Sequence, residues 1–336
     1  MAANEQFASD PSQPTWEAPP TLELDDFQLD DFQPRTIQKQ SPHANTRTES
    51  LARAQRELAR LCSSTDSKPE LEDFLATWRD PQQPDRVQPN ALAWFQVIEP
   101  LATAIRNSRE DLVPILLAHG IKPERPDVWA ALEVLESTGS RTALEMLLQG
   151  GWEIDQPLNE NATSMLGYFV VQNQDLVAWC LSLGASPNAS SPLGQTAMHR
   201  AAAYGSLKIL RLLSSHGGLI TDTDLVAHAA LAYCNGDKDR VDIIQYLLDN
   251  GAPIDEYYMG HSERWNTATN SLFLTYGRQN ALHFAISFGK KELVEILLSR
   301  GADRLAEMFS LRTELKKKQP RELALLLGYK DIAMLL

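Results

Sequence analysis

The sequence predicts an all-α fold in which helical hairpins stack side by side into a solenoid. Residues 196–205 and residues 280–289 follow one pattern: a polar first residue, a histidine three positions later, a run of small and apolar residues, and a closing glycine. Each segment leads into an apolar helix with a leucine pair, at residues 212–213 and 297–298. A chain that repeats such a unit buries the apolar side of each hairpin against its neighbours.

The first helix of each strong unit has a predicted beginning. Thr196 and Asn280 stand where a side-chain oxygen can accept a free backbone N–H group at a helix N-terminus. His199 and His283 follow three residues later, where a ring nitrogen can bond nearby backbone. We therefore expect both helices to begin directly after Thr196 and Asn280.

Glycines mark the turns of the same two units. Gly205 and Gly289 fit the turn between the two helices of a hairpin. Gly217 and Gly301 follow the second helix, at a position that favours glycine because the backbone often turns left-handed there.

Both segments resemble the ankyrin repeat, whose pattern runs T-P-L-H-x-A, glycine, a second helix with paired leucines, then glycine. The interval from Thr163 to Thr196 is 33 residues, the period of that family. The resemblance, of a fungal type with a long insertion, implies about seven repeats over residues 91–336, several of them degenerate. Weaker units are predicted at residues 99–120, 130–151, 163–184, 225–251 and 319–336.

The degenerate units depart from the family pattern at named positions. Ala102, Glu133 and Leu166 occupy the positions of the histidine, so its hydrogen bond is not expected there. Pro114 falls within the second helix of the first unit, where it removes a backbone hydrogen bond unless it lies in the opening turn.

Two regions precede the predicted repeats. Residues 1–45 are rich in proline, glutamine and acidic residues and are expected to be disordered. Residues 46–90 carry apolar residues at helical spacing and are expected to form an N-terminal capping region that covers the first repeat. A dimerisation role is the alternative for these helices.

A tandem pentapeptide in the tail is a second candidate for function. The sequence Leu-Asp-Asp-Phe-Gln occurs twice in succession, with Asp26, Phe27, Asp31 and Phe32 at its centre. Interleaved acidic and aromatic residues are typical of short motifs that bind partners or activate transcription. The alternative is a solvated tail without a binding role.

An insertion is predicted at about residues 255–278, because 50 residues separate Leu248 from Leu298. Tyr258, Trp265 and Tyr276 belong to this insertion, and aromatic anchors often dominate binding at interfaces. The alternative is that these rings fold back on neighbouring helices.

The resemblance implies recognition of another protein by the hairpin tips and the inner helices. The residues expected to contact this partner are Gln195, Arg200, Gln279, Phe284 and Ser287, joined by Tyr258, Trp265 and Tyr276 of the insertion.

Sequence motifs of catalysis or metal binding are absent from the chain. His199, His228 and His283 are interpreted as recurring with the fold and as lying about 10 Å apart, too far to share a zinc ion. We therefore expect no enzymatic activity, no catalytic residue, no cofactor, no metal and no small-molecule substrate. An enzyme with an unrecognised loop site is the minor alternative.

Composition limits the partners and the compartment. The net charge of −13 disfavours direct binding of nucleic acid, and residues 1–40 account for 2 − 8 = −6 of it. No leader or membrane-spanning run is expected, and three cysteines without a C-x-x-C pair suit reduced thiols. The sequence thus favours a cytoplasmic or nuclear scaffold or adaptor, or alternatively a nuclear transcriptional co-regulator that uses the tail.

Overall fold

The structure is a computed structural model of the chain. It describes residues 53–54, 56–77, 99–158, 163–170, 173–221, 223–258, 278–308 and 317–336. Regular structure in these ranges is helical, and an isolated antiparallel bridge pairs Met308 with Lys318. The predicted all-α class is therefore confirmed. The tail of residues 1–45, including Asp26, Phe27, Asp31 and Phe32, lies outside the described residues.

Two helices precede the array. Helix α1 includes residues 53–54 and 56–63, and helix α2 is Lys68–Thr77. Their apolar side chains Leu58, Leu61, Leu71 and Leu75 are buried in the same core as those of the helices that follow. Ser67, between the two helices, accepts a hydrogen bond of 3.0 Å from Nη1 of Arg109, which follows the first helix of the array. That these helices act as a cap remains a proposal.

The array is a succession of short antiparallel helix pairs. The first helix of each pair packs on the first helix of the next, most extensively for α3 with α5, α9 with α11, and α11 with α13. The pairs are α3 (Pro100–Arg106) with α4 (Val113–Ala118), α5 (Arg125–Thr138) with α6 (Thr142–Gln149), α7 (Met165–Phe169) with α8 (Gln174–Ser182), α9 (Ala197–Tyr204) with α10 (Leu207–Ser215), α11 (Leu225–Cys234) with α12 (Arg240–Asp249), α13 (Ala281–Ser287) with α14 (Lys291–Ser299), and α15 (Pro320–Leu326) with α16 (Lys330–Ala333). A 3₁₀ turn, Glu110–Leu112, precedes α4.

Helix ends follow the chemistry predicted for the two strong units. Helices α9 and α13 begin directly after Thr196 and Asn280, as expected. Gly217 and Gly301 have φ angles of 87° and 89°, so both lie in the left-handed region that glycine adopts without strain. Pro114 lies in the opening turn of α4, where its missing N–H group costs no helical hydrogen bond.

The second unit begins earlier than its sequence pattern indicates. Helix α5 starts at Arg125 rather than near Ala130, so the third residue of the helix is Asp127. The expectation that Glu133 takes the histidine position is therefore wrong. Glu133 instead lies exposed on the helix and accepts a hydrogen bond of 2.9 Å from Nε of Arg106.

Side chains in the loops link successive pairs. Asp155 Oδ1 accepts the N–H group of Ser186 at 2.9 Å, and 33 residues later Asn188 Oδ1 accepts the N–H group of Leu219 at 2.9 Å. These two loops are therefore each tied to the next loop by a side chain at the same position of the repeat. None of the helices in the described ranges has the length and apolar character needed to cross a membrane.

Candidate interaction surface and the buried histidine cluster

Three of the residues expected to contact a partner are partly exposed. Gln195 lies directly before the N-cap residue of α9, Arg200 lies on the first turns of α9, and Ser287 ends α13. Ser287 also donates a hydrogen bond of 3.2 Å to Oε1 of Gln279. These positions are compatible with contact to a partner, and their role in binding remains a proposal.

Three others are buried, so the expectation that they project from the array is wrong. Phe284 has no exposed surface, and Tyr258 and Gln279 are 8% and 6% exposed. The ring of Tyr258 packs edge-on against that of Phe284, with centroids 5.7 Å apart. The backbone N–H group of Tyr258 donates to the carbonyl of Gln279 at 2.8 Å. The residues that flank the insertion are thus held together and cover Phe284. Trp265 and Tyr276 lie outside the described residues.

A contiguous polar and aromatic surface runs across the first helices of three successive pairs. Trp129 of α5 and Tyr168 of α7 meet edge-on with centroids 5.5 Å apart. Arg200 of α9 lies over the ring of Tyr204, with Cζ 5.7 Å from the ring centroid. We call Trp129, Tyr168, Arg200 and Tyr204 the Tyr204 surface. Tyr204 is its most exposed member, at 61%.

Backbone contacts fix the position of Arg200 within this surface. Its Nε donates a hydrogen bond of 2.9 Å to the carbonyl of Gly167, the residue before Tyr168. Burial lowers the pKa of Arg200, although the two tyrosines act in the opposite direction. The guanidinium is therefore a partly desolvated cation held between α7 and α9.

Sequence reasoning found Arg200 and missed the aromatic residues around it. Arg200 and Tyr204 are four residues apart on one helix, a spacing that places both side chains on the same face. Tyr168 follows its N-cap residue, Ser164, by four positions, as Arg200 follows Thr196. Aligning helices by their first residues, rather than by the repeat histidine, identifies this face.

The two repeat histidines cap their helices as expected. The N–H groups of Thr196 and Asn280 donate to Nδ1 of His199 and His283 at 3.1 and 3.3 Å. A ring nitrogen that accepts a backbone N–H carries a lone pair, so the proton of the neutral ring lies on Nε2. In His283, Nε2 donates to the carbonyl of Ala306 at 3.0 Å.

His228 does not occupy the position of a repeat histidine. It lies four residues after Asp224, the N-cap residue of α11, and its Nδ1 lies 3.2 Å from the Asp224 carbonyl oxygen. The rings of His199 and His228 meet edge-on with centroids 4.9 Å apart. The expectation that the histidines lie about 10 Å apart is therefore wrong for this pair, because the second ring does not recur with the repeat.

His199, Asp224 and His228 form a buried group of metal-ligand types within one another's reach. Asp224 lies between the imidazoles, with Oδ1 at 2.8 Å from His199 Nε2 and Oδ2 at 3.5 Å from His228 Nδ1. The helix cap leaves His199 Nε2 protonated, so this nitrogen donates to Asp224 and has no lone pair for a metal. The geometry therefore favours a hydrogen-bonded core cluster over a metal centre.

Burial sets the protonation of His228 within this cluster. Burial lowers the pKa of His228 to about 4, which the Asp224 charge opposes and His199 reinforces. Nε2 of His228 is buried and has no hydrogen-bond partner among the described residues. The rings of His228 and Tyr258 pack together with centroids 4.4 Å apart. A neutral His228 thus packs against Tyr258, near the start of the insertion.

Asp127 performs in α5 the capping role that histidine performs elsewhere. Its Oδ2 accepts the N–H group of Glu124 at 2.7 Å, and its Oδ1 accepts the N–H group of Ala102, in the preceding pair, at 2.8 Å. Burial raises the pKa of Asp127 to about 6, against the effect of these two backbone bonds. The carboxylate of Asp127 thus binds the helix pair that precedes it in the chain. His283 instead binds the segment that follows its own helix pair.

Other reactive residue types have structural surroundings. Burial raises the pKa of Cys62, Cys180 and Cys234 to about 12, so each thiol stays protonated at neutral pH. Arg109 and Asp111 line an open groove beside the turn between α1 and α2. Their hydrogen bond raises the pKa of Arg109 and lowers that of Asp111, so the two side chains form an ion pair.

Two models of a known protein family match parts of the helix array. The family model described as ankyrin repeats, in three copies, matches residues 166–258, and the model described as ankyrin repeat matches residues 278–307. The matched ranges include α9 to α14 and both histidine caps. The number of repeats over residues 91–336 and the fungal type remain predictions.

Proposed function

Because this chain is an ankyrin-repeat protein, a family of protein-interaction modules, we propose that it is a non-catalytic scaffold or adaptor that binds a partner protein. The binding face is the exposed side of the first helices, centred on the Tyr204 surface. The partly exposed Gln195 and Ser287 border it. Trp265 and Tyr276 of the insertion extend the contact.

The observation that carries this proposal is the composition and continuity of the Tyr204 surface. Tryptophan, tyrosine and arginine are the residues most enriched among those that dominate binding energy at protein interfaces. Here they come from three successive helix pairs and contact one another through rings and backbone. Tyr204 adds a large ring that is 61% exposed, which a partner can cover.

Affinity purification of the full chain tests the proposal. Tyr204→Ala should remove the partner, because it deletes the largest exposed ring of the surface. Tyr246→Ala is the matched control, since Tyr246 is a partly exposed tyrosine on the second helix α12 that likewise lies beside an arginine. Equal recovery of every partner by the wild type and the Tyr204 variant, at unchanged helicity, would contradict the proposed face.

The insertion is tested in a separate arm. Trp265→Ala should weaken the same partner if the insertion contributes a contact. Phe284→Ala is unsuitable for this purpose, because removing a fully buried ring destabilises the array by about 3–5 kcal/mol. Loss of the partner on changing Trp265 but not Tyr204 would move the binding site to the insertion.

A second candidate function is a nuclear transcriptional co-regulator, favoured by the tandem Leu-Asp-Asp-Phe-Gln sequence. Residues 15–40 fused to a DNA-binding domain should then activate a reporter. Replacing Phe27 and Phe32 with alanine should abolish the activation, whereas replacing Gln28 and Gln33 should not. An inactive fusion removes this candidate and leaves the scaffold function untouched.

A further inference from the structure

We propose that Arg200 is the receptor for a carboxylate side chain of the partner, in an extended segment that places an aromatic residue beside an aspartate or glutamate. The proposal rests on the proposed function, since it names the class of peptide that the Tyr204 surface accepts. Arg200 supplies the fork that binds the carboxylate. Tyr204 and the Trp129–Tyr168 pair supply the apolar contact.

The Arg200 guanidinium has hydrogen-bonding capacity that the described part of the chain leaves unused. The carbonyl of Gly167 accepts a hydrogen bond from its Nε, and the centroid of the Tyr204 ring lies 5.7 Å from its Cζ. Within the described ranges, no carboxylate forms an ion pair or hydrogen bond with it. Its two Nη groups therefore remain as a planar pair of donors, the geometry that binds a carboxylate through two parallel hydrogen bonds.

Another arginine on a first helix of the array shows the contrasting arrangement. Arg106, on the first helix α3, is paired with Glu133 at 2.9 Å and with Glu99 at 3.7 Å. Its charge is thus neutralised within the chain. Arg200 is more buried than Arg106 and lacks such a partner in the described structure. A carboxylate arriving from outside supplies the missing counter-charge.

One acidic residue that contacts this surface is Glu136, which is already hydrogen-bonded. Glu136 of α5 accepts the hydroxyl hydrogen bond of Tyr168. This bond joins Glu136 of α5 to Tyr168 of α7. The Tyr168 ring in turn packs against Trp129, so the cation and the apolar rings are adjacent.

A carboxylate fits this surface better than a phosphate does. Proteins that bind phosphorylated segments use clusters of arginine and lysine, because the group carries nearly two charges. Arg200 contributes one positive charge, and the other members of the Tyr204 surface are uncharged aromatic residues. An aromatic residue next to the carboxylate completes the match, since it can pack on the exposed ring of Tyr204.

The test measures binding of labelled synthetic peptides to the full-length protein by fluorescence anisotropy. The probe carries Glu-Phe in a glycine and serine background, and matched probes carry Gln-Phe, Glu-Ala or phosphoserine-Phe. Protein variants are Arg200→Gln and Arg200→Lys. Arg211→Gln is the control, because Arg211, on the second helix of the same hairpin, also lies over a tyrosine ring, that of Tyr246 in α12. Circular dichroism verifies that each variant folds.

We expect the Glu-Phe probe to bind the wild type and the Arg211 variant equally. Changing Glu to Gln in the probe, or Arg200 to Gln in the protein, should each weaken binding about tenfold to a hundredfold. The two changes together should cost no more than either alone, because they remove the same interaction. Arg200→Lys should bind with intermediate affinity, since lysine keeps the charge and loses the fork.

Several results would overturn the proposal. These are no binding of Glu-Phe at the highest soluble concentration, equal affinity for Glu-Phe and Gln-Phe, tighter binding of the phosphoserine probe, or an effect of Arg200→Gln that Arg211→Gln reproduces. The affinity purification with Tyr204→Ala distinguishes failure of the proposed interaction face from failure of the carboxylate assignment. If that variant loses its partner while the peptides fail, the interaction face stands and the carboxylate assignment falls.

Discussion

His199 Nε2 donates a hydrogen bond of 2.8 Å to the carboxylate of Asp224, the residue that precedes the first helix of the next pair. The same nitrogen of His283 donates to the backbone carbonyl of Ala306 instead. In both cases the histidine that caps one repeat also binds the following one. Between α9 and α11, however, the acceptor is a side chain that a substitution can remove.

We predict that Asp224→Ala destabilises the array by about 1–3 kcal/mol, because it leaves the buried Nε2–H group of His199 without an acceptor. Asp224→Asn should cost less, since the amide oxygen can still accept that bond. Asp249→Ala is the control, because its ion pair with Arg300 is exposed and contributes at most about 1 kcal/mol. Urea midpoints followed by circular dichroism measure the difference. Equal midpoints for the Asp224 and Asp249 alanine variants would contradict the role given to Asp224.

We predict that acidification destabilises the fold well above the pH at which carboxylates become protonated. Burial lowers the pKa of both His228 and His283 from 6.5 to about 4. Below pH 6.5 these two histidines are therefore protonated in the unfolded chain and remain neutral in the folded chain. Each histidine then removes about 1.4 kcal/mol of unfolding free energy per pH unit down to about pH 4. Asp127, with its pKa raised to about 6, acts in the opposite direction over nearly the same range and offsets one histidine in part.

His228→Asn isolates one of these contributions. The asparagine amide can replace Nδ1–H as donor to the Asp224 carbonyl oxygen, and it does not titrate. Asp224, His199 and Tyr258 are the ionisable groups that face this position. Unfolding free energies between pH 7.5 and pH 4.5, measured by urea titration, should therefore depend less steeply on pH in this variant. His216→Asn, at an exposed histidine after α10, controls for the loss of one histidine. An unchanged slope for His228→Asn would refute the assignment.

The strong repeats could be predicted because their local chemistry determines their helix ends. Thr196, His199 and Gly217 each act through residues a few positions away, so a pattern of spacing is sufficient to identify their roles. Asp127 was missed because it performs the same cap with a different residue type. A template that looks for histidine places the second unit several residues too late.

The candidate site was predictable only in part, since exposure depends on what packs from elsewhere in the chain. Arg200 and Phe284 lie at the same position relative to their N-cap residues. Arg200 is partly exposed, whereas Tyr258 covers Phe284 from the base of the insertion. His228 was misassigned for a related reason: one residue of shift along α11 turns its side chain toward Asp224 and His199.

We predict that two glycines resist substitution for different physical reasons. At Gly205 a methyl group would lie 2.9 Å from Cα of Ala201 and 3.1 Å from the carbonyl oxygen of Val170, both backbone atoms. At Gly301 nothing lies within 4 Å, and the strain comes from its φ angle of 89°. Gly301→Asn should therefore be milder than Gly301→Ala, because asparagine tolerates the left-handed region. At Gly205 asparagine should be worse than alanine, as crowding grows with size. Thermal midpoints of the four variants test this order, and the same ranking at both sites would disprove it.

A final prediction concerns Arg240, a buried cation whose role is not evident from its local sequence. Its Nε lies 2.8 Å from Oδ2 of Asp237, and Nη1 donates to the carbonyl oxygen of Ala202 at 3.3 Å. Ala202 is in the last turn of α9, where carbonyls lack helical N–H donors. Arg240→Met keeps the apolar stem but leaves that carbonyl without its donor, so we expect a loss of about 1–3 kcal/mol.

Arg300→Met is the control for Arg240→Met, because it removes an arginine whose ion pair is exposed to solvent. Arg240→Lys should fall between the two, since lysine keeps a charge that can approach Asp237 but has no second planar donor for the helix end. Urea midpoints of the three variants provide the comparison. If Arg240→Met and Arg300→Met shift the midpoint equally, the hydrogen bond from Arg240 to the carbonyl of Ala202 does not contribute to stability.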